Sequence, residues 1–256
     1  SPSQGIEMRI AIVINSERMT PELQAKLDSK ELTEKYDITY DLFVPKPDEL
    51  ETCLQKLNHE TYNACLVGGG DGTICTAARI LTATQLPLAI LPLGTLNVLA
   101  KSLEHPNDID AIFAIIKNNK TKLIDVGEVN GVIFINHAWL GSYYYIMKMR
   151  EKHKDILGKS KILKALTNIF WMFKHLPIYE FKIESDEHAG TYKTCLIFIS
   201  TNESSSSPFH FGTRALMSTG LLDINIINCH TRMQLLKCML SVLLLGYKKS
   251  KYVKQF

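Results

Sequence analysis

Ala64-Cys65-Leu66-Val67-Gly68-Gly69-Gly70-Asp71-Gly72-Thr73 decides how this chain is read. A short apolar run breaks into four glycines within five positions. It then opens onto a helical pattern at Ile74, Ala77, Ala78, Ile80 and Leu81. Glycine at a strand-to-helix turn permits positive φ and lets another group come close to the backbone. The amides of such a turn, with the positive end of the following helix, favour an anion. Asp71, the one charged residue of the loop, would repel a phosphate unless a metal or a hydroxyl proton lay between them. The stretch therefore implies phosphate handling with Mg²⁺ or with proton abstraction. The plainer alternative is a tight turn that needs glycine for shape alone, but shape asks for one or two glycines. The loop lacks the Gly-Lys-Ser/Thr of a P-loop and does not fit the G-x-G-x-x-G dinucleotide fingerprint.

Outward from this loop, the first half alternates strand and helix patterns. Arg9–Asn15 is a nearly continuous apolar run, as expected of a strand buried on both faces. A helix is predicted over Pro21–Tyr36, a strand over Ile38–Val44 and a helix over Asp48–Asn58. The strand Ala64–Val67 leads into the glycine loop and its helix. A fourth strand, Leu88–Leu91, leads into Pro92-Leu93-Gly94-Thr95-Leu96-Asn97 and another helix. This rhythm predicts an open parallel sheet with helices on both faces. Ligands of such sheets lie beyond the carboxyl ends of the strands, where both glycine-bearing loops fall. Thr95 and Asn97 offer a hydroxyl and an amide to a ribose, base or phosphate there. The competing reading of Thr95 is a plain helix cap.

From Lys122 the rhythm changes. Strands are expected at Leu123–Val129, Val132–Ala138, Phe181–Glu184, Tyr192–Ser200 and Leu222–Ile227, with a two-residue turn at Asn130-Gly131. Helices are expected at Ile162–Leu176 and Met233–Tyr247, and a loop at Ser204–Ser207. The fold class is thus an α/β parallel-sheet domain, residues 8–121, followed by a mainly antiparallel β-sandwich domain, residues 122–256. The last helix is a candidate to pack back on the first domain.

Bulk properties narrow the function classes. A net charge of +3 from 29 basic and 26 acidic residues, without a basic tail, gives no support to a nucleic-acid partner. The six cysteines form no C-x-x-C pair, so disulfides and zinc are not expected and a reducing cytoplasm fits. Ser1–Glu7 is polar and does not read as a signal peptide. The apolar run Met239–Leu245 is far shorter than the roughly 20 residues of a membrane span. A soluble protein that visits a membrane surface is expected. Lys248, Lys249, Lys251 and Lys254 would meet anionic headgroups or simply end a solvated helix. The aromatic runs Tyr143–Tyr145 and Phe170-Trp171 with Phe173 read as core before they read as an acyl groove. His137, inside an apolar strand, reads as an interior histidine.

G-G-G-D-G-T followed by P-L-G-T-x-N resembles the catalytic domain of the diacylglycerol kinase family, which includes bacterial soluble lipid kinases and the sphingosine and ceramide kinases. More distantly it resembles NAD kinases and phosphofructokinases. Ile124-Asp125-Val126-Gly127, Phe134-Ile135-Asn136 and Gly220-Leu221-Leu222-Asp223 extend the resemblance along the chain. It implies a phosphofructokinase-like nucleotide-binding domain, a β-sandwich lipid domain and an active site in the cleft between them. It further implies transfer of the γ-phosphoryl of ATP to a lipid hydroxyl with Mg²⁺. Gly68, Gly69, Gly70 and Gly72 would cradle phosphates. Thr73 would cap its helix and touch a phosphate. Asn15, Gly94, Thr95 and Asn97 would face the nucleotide. Asp71 would be the general base or a Mg²⁺-linked carboxylate, a choice the residues leave open. Asp125 fits a role at the domain joint, and Asp223 opens a strand.

The chain also departs from the family pattern. Asn15-Ser16-Glu17-Arg18-Met19 stands where the family has N-P-x-S-G. Thr219-Gly220 stands where bacterial members carry the Asp-Gly of a structural Mg²⁺ site, leaving Leu216 and Leu221 as backbone-carbonyl ligands beside Thr219. A further D-G-E-like segment of the family has no match in these residues. The alternative is therefore a catalytically impaired relative that binds nucleotide or lipid, with a NAD kinase-like enzyme behind it.

Overall fold

The computed structural model describes residues 8–135, 137–144, 177–186, 189–201, 219–227 and 253–255, with isolated positions between 231 and 241. The chain divides into two compact units, the first running to residue 136 and the second beginning at His137.

In the first unit, β1 (Met8–Ile14), β2 (Ile38–Phe43), β3 (Ala64–Gly69) and β4 (Leu88–Pro92) form one parallel sheet in the order β2-β1-β3-β4. Successive side chains of a strand point to opposite faces, and here both faces are covered. Ile10, Ile12, Ile14, Leu66 and Leu91 pack with Leu27 of α1 (Pro21–Asp28), Leu32 of α2 (Glu31–Tyr36) and Ile112, Phe113 and Ile116 of α6 (Ile109–Lys117). Ala11, Val13, Cys65, Val67 and Ile90 pack with Leu54 of α3 (Leu50–Gln55), Ile74, Ala77 and Leu81 of α4 (Asp71–Leu81) and Leu99 of α5 (Val98–Ser102). Each fully buried aliphatic side chain contributes roughly 1.5–3 kcal/mol to this three-layer core. The continuous apolar character of β1 is the direct consequence of having no solvent face.

The single helix expected over Pro21–Tyr36 is two. Thr20 caps α1, its hydroxyl accepting from the Leu23 amide at 3.2 Å, and Pro21 takes the first position. Ser29 then turns extended at ψ 149° while its hydroxyl donates to the Lys26 carbonyl at 2.8 Å, which ends the helix. Serine competing for backbone partners is a known breaker of this kind. Similarly, one helix was expected after Asn97 and two are present. α5 stops at Leu103, Glu104 is left-handed, and Asp108 starts α6 by accepting from the Ala111 amide at 3.0 Å. Asp110 on α6 fastens α1 and α2: its carboxylate accepts from Lys26 Nζ, from Lys35 Nζ at 2.9 Å and from the Tyr36 hydroxyl at 3.5 Å.

Past α6 the chain is irregular to Val126, and Leu123 is exposed, so the strand expected from Leu123 shrinks to β5 (Gly127–Val129). It pairs with β6 (Val132–Phe134) through Asn130 (φ 51°) and Gly131 (φ 78°), the left-handed pair that a two-residue hairpin turn demands.

The second unit is antiparallel. β7 (His137–Gly141), β10 (Leu196–Ser200), β11 (Asp223–Ile227) and β12 (Val253–Gln255) form a sheet in the order β12-β11-β10-β7, and β8 (Tyr179–Glu184) pairs with β9 (Ala189–Thr194) as a hairpin. Two expected strands break in two here. Val132–Ala138 divides between β6 and β7, and Tyr192–Ser200 divides at Cys195 between β9 and β10. At the second break Gly141, with φ 93°, has no room for a Cβ, which would lie 2.6 Å from the Cys195 carbonyl oxygen. The Ser142 amide then bonds that carbonyl at 2.8 Å. His137, Trp139 and Phe198 form an aromatic cluster, with Trp139 and Phe198 centroids 4.6 Å apart. The helix expected at Ile162–Leu176 and the loop at Ser204–Ser207 lie outside the described residues. Of Met233–Tyr247, the described positions Met233, Gln234, Lys237, Cys238 and Ser241 are helical. No described helix is long and apolar enough to cross a membrane.

Candidate functional site

Strand order places a topological switch between β1 and β3: the chain leaves β1 toward β2 and returns across it to β3. Loops at the carboxyl ends of such neighbours frame the ligand crevice of open α/β sheets. Here those loops are Asn15–Arg18 and Gly70, with the β4–α5 loop beside them. Backbone bonds knit the three together. The Asn15 amide donates to the Gly68 carbonyl at 3.0 Å, and the Leu93 amide to the Gly69 carbonyl at 2.9 Å.

The glycines differ from expectation in their reason. β3 extends through Gly68 and Gly69, and none of Gly68, Gly69, Gly70 or Gly72 has positive φ. Close packing accounts for three of the glycines at these junctions. A Cβ on Gly68 would lie 2.4 Å from Ile14 Cδ1, one on Gly69 2.5 Å from Thr73 Cβ, and one on Gly94 2.6 Å from Gly70 Cα. It does not account for the other two. A Cβ on Gly70 would meet Gly94 Cα at an ordinary 3.5 Å, and one on Gly72 would meet nothing within 4 Å.

Gly70, extended at φ −86°, is the N-cap of α4, so Thr73 is not the cap. Thr73 is buried within the first turn, and its hydroxyl accepts from Asn15 Nδ2 at 3.3 Å. The other end of the Asn15 amide accepts from the Glu17 amide at 3.0 Å, holding a short 3₁₀ turn on which Glu17 and Arg18 are exposed. The amides of Asp71, Gly72 and Thr73, in the first turn of α4, have no acceptor within the helix.

At the second junction the cap of α5 is Asn97, not Thr95, which is exposed. Asn97 is left-handed (φ 51°, ψ 51°) and folds its amide back on its own loop. Its Oδ1 accepts from the Gly94 amide at 2.9 Å, and its Nδ2 donates to the carbonyls of Gly94 at 2.9 Å and Pro92 at 3.5 Å. Asp71 crosses between the junctions: its Oδ1 accepts from the Val98 amide at 2.6 Å. A carboxylate at the start of α4 also meets the positive end of that helix. The Asp71–Val98 bond joins residues far apart in sequence and carries no motif, so sequence reasoning missed it. One turn on, burial and then the Asp71 charge push the Cys75 thiol up from its ordinary value.

Other expected site residues lie elsewhere or are otherwise engaged. Thr219 Oγ1 accepts from the Leu221 amide at 3.3 Å in a turn where Gly220 has φ 70°. Leu221 is exposed, and Leu216 and Asn136 lie outside the described residues. Asp223 accepts from Asn225 Nδ2 at 3.1 Å within β11. Among the described residues, no three His, Cys, Asp or Glu side chains gather as a metal site.

Residues 9–129 match the family model described as the diacylglycerol kinase catalytic domain. An uncharacterized protein of Synechocystis is 27% identical over 171 residues, covering 66% of this chain and 39% of its own. A diacylglycerol kinase of Staphylococcus aureus is 30% identical over 155 residues, covering 59% of this chain and 48% of its own. The chain thus spans half or less of the length of these curated relatives. The crystal structure of a diacylglycerol kinase from Bacillus anthracis strain Sterne superposes with a TM-score of 0.64 at 20% identity, over 99% of this chain and 84% of that one. That likeness establishes the fold: a parallel α/β sheet followed by antiparallel sheets. The similarity to the diacylglycerol kinase catalytic domain family thus rests on residues 9–129, which hold both glycine junctions.

Proposed function

We propose that this chain serves an ATP-dependent lipid kinase, transferring the γ-phosphoryl of ATP to the hydroxyl of a diacylglycerol-like lipid at a membrane surface. Residues 8–121 would take the nucleotide and residues 122–256 the lipid. The observation that carries the reading is Gly72. It sits in the first turn of a helix where alanine would be more stable by roughly 0.5–1 kcal/mol, and no protein atom occupies the space of its missing Cβ. Helical Cβ atoms tilt toward the N-terminus, so this space faces the end of α4, where three amides lack acceptors within the helix. A phosphate oxygen satisfies both facts, since it needs the donors and the clearance.

Asp71 has one oxygen on the Val98 amide, which leaves the second for chemistry. A single carboxylate oxygen with substrate phosphates is an ordinary way to hold Mg²⁺. The residues therefore fit that ion, which when bound would neutralise charge on the transferring group. The same oxygen is equally placed to take the proton of the attacking hydroxyl. A second reading, a nucleotide- or lipid-binding module without turnover, is favoured by Thr219, whose neutral hydroxyl replaces the family's acid and is spent on its own turn.

Transfer of label from γ-³²P-ATP to diacylglycerol, sphingosine, ceramide and NAD tests the proposal. Labelled lipid is the expected result. Label in NAD alone would overturn the lipid assignment. ATP binding without transfer to any acceptor would favour the second reading.

A further inference from the structure

We infer that Asn97 is a positioning residue that fixes the second glycine junction while one Asp71 oxygen ties that junction to the first, a clasp in which Asn97 shapes the phosphate cradle without touching the nucleotide. The functional part of this inference rests on the phosphate reading above; the clasp itself stands on geometry alone.

A primary amide has one acceptor oxygen and two donor hydrogens. Asn97 spends its oxygen on the Gly94 amide and its nitrogen on the Gly94 and Pro92 carbonyls. Both ends of the group are committed inside the loop, so the side chain that sequence offers to a ligand is already occupied. Asparagine is the residue for this task. It tolerates the left-handed backbone observed here, which costs other L-residues more. It also donates and accepts at once, which an ionised Asp or a Leu cannot do.

Its target gives the clasp its purpose. Gly94 sits so close to Gly70 that a Cβ on Gly94 would be 2.6 Å from Gly70 Cα. Gly70 is the N-cap whose conformation aims the first amides of α4. Fixing Gly94 therefore fixes the wall against which the cradle rests. Asn97 makes no side-chain cap bond to α5. That duty passes to Asp71, which caps α5 from across the gap through the Val98 amide. The two junctions are thus joined three ways, by the Leu93–Gly69 backbone bond, by the close approach of Gly70 and Gly94 and by the Asp71 carboxylate.

The test uses the whole chain and four variants: Asn97→Gly, Asn97→Asp, Asp71→Asn and Asp71→Ala. Amide hydrogen exchange at Gly94 and Val98 reads the clasp without ligand, and calorimetric ATP binding with steady-state transfer reads its consequence. Asn97→Gly keeps the left-handed backbone and removes only the side chain. It should speed exchange at Gly94 and weaken ATP binding about tenfold, the equivalent of one net hydrogen bond. Its kcat at saturating ATP should persist. Asn97→Asp keeps the acceptor for the Gly94 amide but sets a carboxylate against two carbonyls, so it should leave Gly94 protected while lowering thermal stability and weakening ATP binding, and its stability serves if the glycine variant unfolds. Asp71→Asn should preserve protection at Val98, because an amide oxygen still accepts, whereas Asp71→Ala should lose it.

Unchanged Gly94 exchange in Asn97→Gly, or unchanged thermal stability in Asn97→Asp where the glycine variant unfolds, would overturn the clasp. Collapse of kcat at saturating ATP in Asn97→Gly would overturn it differently, by placing Asn97 at the reacting group. If the unaltered chain bound no ATP, the kinase reading would fall while the exchange data still decided the clasp.

Discussion

The β3–α4 and β4–α5 junctions lie side by side and solve the same geometric problem in opposite ways. The first turns a strand into a helix with glycines in ordinary extended and helical backbone, and leaves its first amides without a side-chain cap. The second turns through a left-handed asparagine whose side chain bonds inward. One junction has first-turn amides without acceptors in its helix, and the other is stapled by its own side chain. The contrast teaches that glycines of one motif need not share a cause. Gly68, Gly69 and Gly94 are crowded by neighbouring atoms, whereas a Cβ on Gly70 would make only ordinary contact and one on Gly72 would meet nothing within 4 Å.

Steric substitutions should break this comparison most visibly. Gly94→Ala drives a Cβ into the Gly70 backbone, and Gly69→Ala drives one into the Thr73 side chain. Each should lose about 1–3 kcal/mol of stability, as overpacked sites do. Gly70→Ala, which meets only ordinary contact, should stay within about 0.5 kcal/mol. Urea unfolding of the three variants measures the difference, and equal losses would end the distinction. Next in size, Asn97→Ala should cost about 1–2 kcal/mol for a side chain forced into the left-handed region. Asn97→Gly should cost less, a gap that thermal unfolding resolves.

Gly72→Ala sharpens the contrast by its sign. It should stabilise the fold by roughly 0.5–1 kcal/mol and at the same time weaken ATP binding. A variant that gained stability and kept its affinity would remove the main support for a phosphate at this helix end. The smallest effect concerns Cys75. Burial holds its thiol above the ordinary range first and the Asp71 charge second. Asp71→Asn should therefore lower that pKa slightly and speed alkylation of Cys75 by a small factor. Buried Cys65, pushed up to about 12, should remain unreactive as an internal control.

Much of this was legible in sequence, because it depended on period and composition. The unbroken run Ile10–Ile14 announced a strand covered on both faces, and Asn130-Gly131 announced its hairpin turn. What stayed hidden depended on partners distant in sequence. Nothing in G-G-G-D-G-T shows that Asp71 bonds the Val98 amide, or that Thr73 faces Asn15 instead of capping. The break at Cys195 was hidden for a related reason. Tyr192–Ser200 keeps strand-like composition throughout, while the bonds at the division run from the Leu196 amide to the Thr194 hydroxyl and from Ser142, beyond another strand, to the Cys195 carbonyl. The helix boundary at Ser29 was nearer to reach, since serine at the end of an amphipathic turn is a local signal.

Asp110 has a consequence far from the junctions. One carboxylate holds three side chains from two helices against α6, which makes a face of the first unit sensitive to protons. Hydrogen bonds from Lys26 and then Lys35 keep the Asp110 carboxyl below its ordinary value, and the same contacts raise both lysines. The carboxylate's contribution is complete above the ordinary Asp range and fades as pH falls through the lowered value. The lysines' contribution is complete below the ordinary Lys range and fades as pH rises through their raised values. The fastening of α1 and α2 is therefore whole across the neutral range and loosens at either extreme, by acid through one group and by alkali through two.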